Sequence, residues 1–148
     1  NLIEFLWNRA RSQVYSTGLS PVVCAAATAA LAIITAEPER RHRLAEASRY
    51  LRQQLQQVHV QTVAASVGPI IPVILSDPHA AVSVAERLER RGFLVGAIRP
   101  PTVPRDTSRL RIVVTSAHQD ADLARLAVAI GEEIATCNHQ AGKSSSIK

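Results

Sequence analysis

Apolar residues recur at helical spacing in five stretches of the chain and run or alternate at strand spacing in three. Leu2, Phe5 and Leu6 share one face of a short helix predicted over 2–11. The hydroxyl-rich run RSQVYSTGLS (11–20) reads as a loop. Ser20 followed by Pro21 is a helix start, an N-cap and then proline at the first helical position. The segment VVCAAATAALAIITA (22–36) is apolar all round, which predicts burial against another surface. Pro38 restarts the helix, and Leu44, Ala47, Leu51, Leu55 and Val58 then mark a stripe at helical spacing. The charged run ERRHR (39–43), with Arg49 and Arg52, reads as the solvated face of that helix.

After Gly68 the period changes. PIIPVILS (69–76) is short, apolar and rich in β-branched residues, as a strand requires. Ser76-Asp77-Pro78 starts another helix, with Ala81, Val84, Ala85 and Leu88 facing inward and Gly92 as its stop. FLVGAI (93–98) and RLRIVVT (109–115) are predicted strands. A last helix uses Leu123, Leu126, Ala127, Ile130 and Ile134. The order, helices followed by β-α-β-β-α, predicts an α+β fold: a small, mainly antiparallel sheet backed by helices. The chain divides into a connecting segment and long helix (1–36), a small α+β domain (37–136) and a polar tail (137–148) expected to be disordered.

With 148 residues, 47% of them apolar, the chain can bury one real core, and aromatics at 3% leave Ala, Val, Leu and Ile to fill it. The net charge of +5 is carried by arginine; the only lysines are Lys143 and Lys148. Basic residues are not interleaved with aromatics or glycines, so no nucleic-acid partner is expected. No apolar run approaches the roughly 18 residues of a membrane helix, so no membrane partner is expected either. Cys24 and Cys137 match no zinc or disulfide framework and read as buried or inert thiols in a cytoplasmic protein; no metal is expected. The chain has no Met and starts inside an amphipathic pattern, so its true beginning is expected to lie upstream.

The stretch IRPPTVPRDTSRLRI (98–112) is more elaborate than a turn between strands requires. Pro100 and Pro101 stiffen it, which lowers the entropy lost on clamping a ligand. Thr102 adds a hydroxyl that can donate and accept. Strand alternation puts Arg109 and Arg111 on one side of the sheet, where a guanidinium matches a carboxylate or phosphate with two parallel hydrogen bonds. The bland reading pairs these arginines with acids such as Asp106, for little stability. His118, at the start of the last helix, reads as a capping or packing residue rather than a catalyst. A non-catalytic α+β module holding a carboxylate or phosphate on Arg99, Arg109 and Arg111 remains open at this point.

AIRPPTVP (97–104) followed by SRLRIVVTSAH (108–118) closely resembles the C-terminal domain of the 8-amino-7-oxononanoate synthases, the biotin-pathway branch of the α-oxoamine synthase family. NLIEFLWNRARSQVYSTGLSP (1–21) is similar to the segment after that family's cofactor lysine, and IIPVIL (70–75) to its first small-domain strand. The Arg-Pro-Pro-Thr-Val-Pro run favours this branch over 5-aminolevulinate synthase, 2-amino-3-ketobutyrate CoA ligase and serine palmitoyltransferase. The resemblance implies the aspartate-aminotransferase fold, pyridoxal 5'-phosphate as cofactor and a homodimer. It implies a reaction joining L-alanine to a pimeloyl thioester, on acyl carrier protein or CoA, with loss of CO2. It implies that Arg111 grips the alanine carboxylate, that Thr102 contacts substrate, and that Ser16 and Thr17 reach the cofactor phosphate of the neighbouring subunit; Arg99 is a further candidate substrate contact. The family's Schiff-base lysine has no counterpart here, so no catalytic residue is assigned and most of the cofactor site is expected upstream. Asp106 stands where the family usually has glycine, and could pair with Arg105 or Arg109.

Overall fold

Proline and glycine set the ends of most elements. A computed structural model describes residues 1–15, 18–63 and 66–145, in two compact units, Asn1–Pro38 and Glu39–Lys148.

The first unit is helical, with α1 at Leu2–Arg9, α2 at Arg11–Val14 and α3 at Pro21–Ala36. The side chain of Asn1 caps α1 by accepting from the Ile3 amide at 3.1 Å. Ala10 leaves the helical region (ψ 102°) and separates α1 from α2. The sequence pattern missed α2: Arg11–Val14 is helical although its hydroxyls and amides suggested loop. Pro21 opens α3 as expected, but the Ser20 side chain makes no capping hydrogen bond. None of α3 is buried, where its composition predicts burial. Cys24 on α3 is exposed, which removes the buried half of the buried-or-inert expectation. Leu2, Phe5 and Leu6 of α1 are exposed as well.

The second unit runs α4 (Pro38–Gln57), β1 (Ile70–Ser76), α5 (Pro78–Arg90), β2 (Gly96–Ile98), β3 (Ser108–Val113) and α6 (Asp120–Ser145). The sheet has order β1-β3-β2, with both pairings antiparallel. The α+β expectation holds. Leu51 and Leu55 of α4, Ile71 and Val73 of β1, Val84 and Leu88 of α5, Leu110 and Ile112 of β3, and Leu123 and Ile130 of α6 form one core. Each such side chain contributes about 1.5–3 kcal/mol on burial. Asp77 caps α5 by accepting from the His79 and Ala80 amides. Gly92 stops that helix at φ 86°, a left-handed value that costs glycine nothing. Phe93 then returns its amide to Leu88, which confines β2 to three residues where six were expected.

Two arginines of α4 do more than face solvent. Arg52 donates to the Ser48, Ser66 and Gly68 carbonyls at 3.1, 3.1 and 2.8 Å, tying the chain ahead of β1 to the helix. Its burial pulls its pKa down from the ordinary arginine value. Arg43 donates to His118 O at 3.1 Å and to Asp120 Oδ1 at 2.7 Å, pinning the start of α6 to α4. The last helix continues to Ser145, past Ile134 where its apolar period ends and through most of the tail expected to be disordered. No proline interrupts that stretch. Among the described residues no single helix is long and apolar enough to cross a membrane.

Candidate functional site

β3 is the central strand, and its alternation sorts its residues cleanly. Ser108, Leu110 and Ile112 are buried against the core, while Arg109, Arg111 and Val113 point to the opposite, open face. Arg111 faces Pro72 across β1 and Gly96 across β2. A Cβ built on Gly96 would meet the Arg111 side chain at 3.9 Å, so the guanidinium stem lies along the glycine. Arg111 is exposed, and among the described residues it has no hydrogen-bond or ion-pair partner. A cation on an open face without an internal counter-ion keeps its full capacity for an incoming anion.

The loop from β2 to β3 turns at once: the Thr102 amide donates to Arg99 O at 3.1 Å, across the cis peptide between Pro100 and Pro101. Thr107 Oγ1 donates to Pro104 O at 2.7 Å, and Arg109 Nε donates to Thr107 O at 2.9 Å. Asp106 takes φ 60°, the left-handed region where glycine is at ease. It makes no ion pair with Arg105 or Arg109 among the described residues, so the expected pairing is replaced by the Arg109–Thr107 bond.

The candidate residues therefore divide. Arg111 lies on the open sheet face, and Thr102 at the turn of the loop. Arg99 instead lines a cavity of about 510 Å³ with Pro100 and with Pro78, His79, Val82, Ser83 and Glu86 of α5. Arg99 is exposed and borders α5 there, whereas Arg111 stands on the outward row of β3. Ser16 and Thr17 lie outside the described residues.

A second cavity, of about 450 Å³, went unnoticed in the sequence. Its apolar wall includes Phe93, Val95, Ile112 and Leu123, and its polar groups are His118, Asp122 and Arg125. Asp122 and Arg125 pair at 3.1 Å, and Arg125 stacks over Phe93 with its guanidinium carbon 5.6 Å from the ring centre. His118 Nδ1 accepts from the Thr115 amide at 3.1 Å, which makes it the turn-capping residue expected of it. The only sequence signal for this cavity was the close spacing of His118, Asp122 and Arg125 at a helix start. Among the described residues, no group of three His, Cys, Asp or Glu side chains could hold a metal ion.

Comparison with known proteins places this geometry. The family model for aminotransferase class I and II matches residues 1–130. An 8-amino-7-oxononanoate synthase from Methylobacterium nodulans is 45% identical over 131 residues, covering 88% of this chain and 33% of that protein. The chain thus spans about a third of the length of the curated relatives it matches. Among solved structures, the 8-amino-7-oxononanoate synthase of Francisella tularensis superposes with a TM-score of 0.74 at 21% identity, over 91% of this chain and 39% of that one. Serine palmitoyltransferase from S. paucimobilis, solved with a bound PLP–myriocin aldimine, gives 0.78 at 24% identity, over 86% and 32%. The two structures establish the shared fold, that of part of the PLP-dependent transferases. With a family match running over residues 1–130, the chain belongs to the aminotransferase class I and II family.

Proposed function

We propose that the chain is the C-terminal portion of an 8-amino-7-oxononanoate synthase, a pyridoxal-phosphate-dependent enzyme of biotin biosynthesis. The reaction joins L-alanine to a pimeloyl thioester, carried on acyl carrier protein or CoA, with release of CO2. The observation that carries this reading is Arg111, a guanidinium without an internal partner on the open face of the central strand. It receives the alanine carboxylate in a charge-assisted pair. Thr102 offers its hydroxyl from the adjoining loop, and Arg99, on the α5 side, serves a different part of the substrates. This reading assigns Ser16 and Thr17 to the cofactor phosphate of the neighbouring subunit in a cytoplasmic homodimer. The exposed apolar faces of α1 and α3 pack on the large domain of the whole enzyme.

The residues present do not by themselves fit the cofactor. It needs a lysine for its Schiff base, and none occurs before Lys143, whose side chain, like Lys148, lies outside the described residues. This reading gives that chemistry to residues outside this sequence, and the chain alone is expected to be inactive.

Grafting tests the reading. Residues 1–130 replace the matched third of the Methylobacterium nodulans enzyme, and product is measured from alanine and pimeloyl-CoA. Loss of one charge-assisted contact corresponds to a fall of roughly 10- to 100-fold in kcat/KM for alanine on Arg111→Leu. An active graft indifferent to that change refutes the assignment.

A further inference from the structure

We infer that Arg109 is a positioning residue: its Nε–H ties the proline-rich loop to β3 and so sets Thr102 relative to Arg111. The inference rests on the reading of Arg111 and Thr102 as substrate contacts, although the tie itself needs no ligand.

The two outward arginines of β3 look equivalent in sequence and are not equivalent in the structure. Arg111 is exposed and unpartnered. Arg109 is half-buried, and its Nε donates to Thr107 O at 2.9 Å. Thr107 in turn donates its hydroxyl to Pro104 O at 2.7 Å, and the Thr102 amide closes the far end of the loop on Arg99 O at 3.1 Å. The loop is therefore fastened at both ends by its own groups and to the strand by one side chain. Arg109 pairs with Ile98 across β2 and Ile74 across β1, so its stem is fixed by the sheet before its head group reaches the loop. A group held in this way restricts the positions open to Thr102 without touching what Thr102 binds. The Arg109 Nη nitrogens have no partner among the described residues, so the tie leaves positive charge on the same face as Arg111.

The geometry also supplies a discriminating pair of variants. Glutamine carries its amide nitrogen at the same bond position from the backbone as arginine Nε. Arg109→Gln therefore keeps the donor and removes the charge, while Arg109→Leu removes both and keeps the apolar stem. Amide hydrogen exchange on the ¹⁵N-labelled chain reads the loop and the core separately. The expectation is that Arg109→Leu speeds exchange of the Thr102 amide about tenfold, as loss of one hydrogen bond should. Arg109→Gln should stay within about twofold of the parent, and the Leu110 and Ile112 amides should not change in either variant. Unchanged Thr102 exchange in Arg109→Leu overturns the inference. So does acceleration shared by the Leu110 and Ile112 amides, which would make Arg109 a residue of the fold at large. Failure of Arg109→Gln to preserve protection overturns it too, because charge would then be the cause. The grafted enzyme carrying Arg111→Leu is assayed alongside. An active graft indifferent to that change counts against Arg111 as the carboxylate site and leaves the loop result standing.

Discussion

Replacing Glu133 by Gln removes one charge from the junction of α5 and α6 at almost constant volume. The parent carboxylate faces Arg87 of α5 and Arg91, the residue that caps its C-terminus: Arg87 Nε lies 2.9 Å from Oε2 and Arg91 Nη1 lies 3.1 Å from Oε1. The Glu133 and Arg87 side chains are 14% and 18% exposed. The pair thus stands between an exposed ion pair, worth about 0–1 kcal/mol, and a buried one, whose breaking costs about 3–5 kcal/mol. Two details pull the figure below the upper bound. Arg87 Nε is close to the carboxylate but makes no aligned hydrogen bond, and Arg91 keeps Glu132 at 2.7 Å as a second partner. A loss of about 2 kcal/mol follows, nearly all of it from Arg87 left charged and enclosed. With a urea slope of about 1–1.5 kcal/mol per molar, the unfolding midpoint should fall by roughly 1.5 M. The companion variant Arg87→Met removes the stranded charge, so the double change should cost about 1 kcal/mol less than the sum of the singles. A Glu133→Gln midpoint within about 0.3 M of the parent, or strict additivity in the double variant, would refute the argument that burial gives this pair its worth.

Two other changes probe positions where the backbone or the core carries a cost. Ser108 is fully buried, and its hydroxyl has no partner among the described residues; Ser108→Ala should leave stability unchanged or raise it by about 1 kcal/mol in the same urea assay, and a loss of that size would reveal a bond to Oγ. Asp106 holds φ 60°; Asp106→Gly relieves the left-handed strain but frees the unfolded chain, so thermal unfolding should shift by no more than about 1 kcal/mol, in the stabilising direction, and a clear destabilisation would mean that the carboxylate holds the loop.

What was legible in the chain was what depends on near neighbours. The α4 stripe through Ala47, Leu51 and Leu55 and the β3 alternation of Leu110 and Ile112 with Arg109 and Arg111 follow from the period of each element alone, and all of these residues fall on the expected sides. Local signals also gave Asp77 as a cap and Gly92 as a stop. What escaped was decided by groups distant in sequence. Arg43 reads as a solvated helix residue until the turn at His118, 75 positions later, offers its carbonyl. Arg52 likewise waits for Ser66 and Gly68. Arg99 and Arg111 sit in one motif, yet the motif spans the turn between strands, and Arg99 lines a cavity with α5 while Arg111 stands on the outward row of β3. The helix at Arg11–Val14 was hidden because one turn of polar residues carries no period to detect.

The central strand sets its own penalty for misassembly. Sliding β3 by one position against β1 and β2 would drive two guanidinium groups into the leucine and isoleucine layer and push Leu110 and Ile112 into water. No compromise register lies between those outcomes. Drift in the sequence can therefore retune the outer row, exchanging one outward-facing cation for another side chain, without loosening the alignment of the strand.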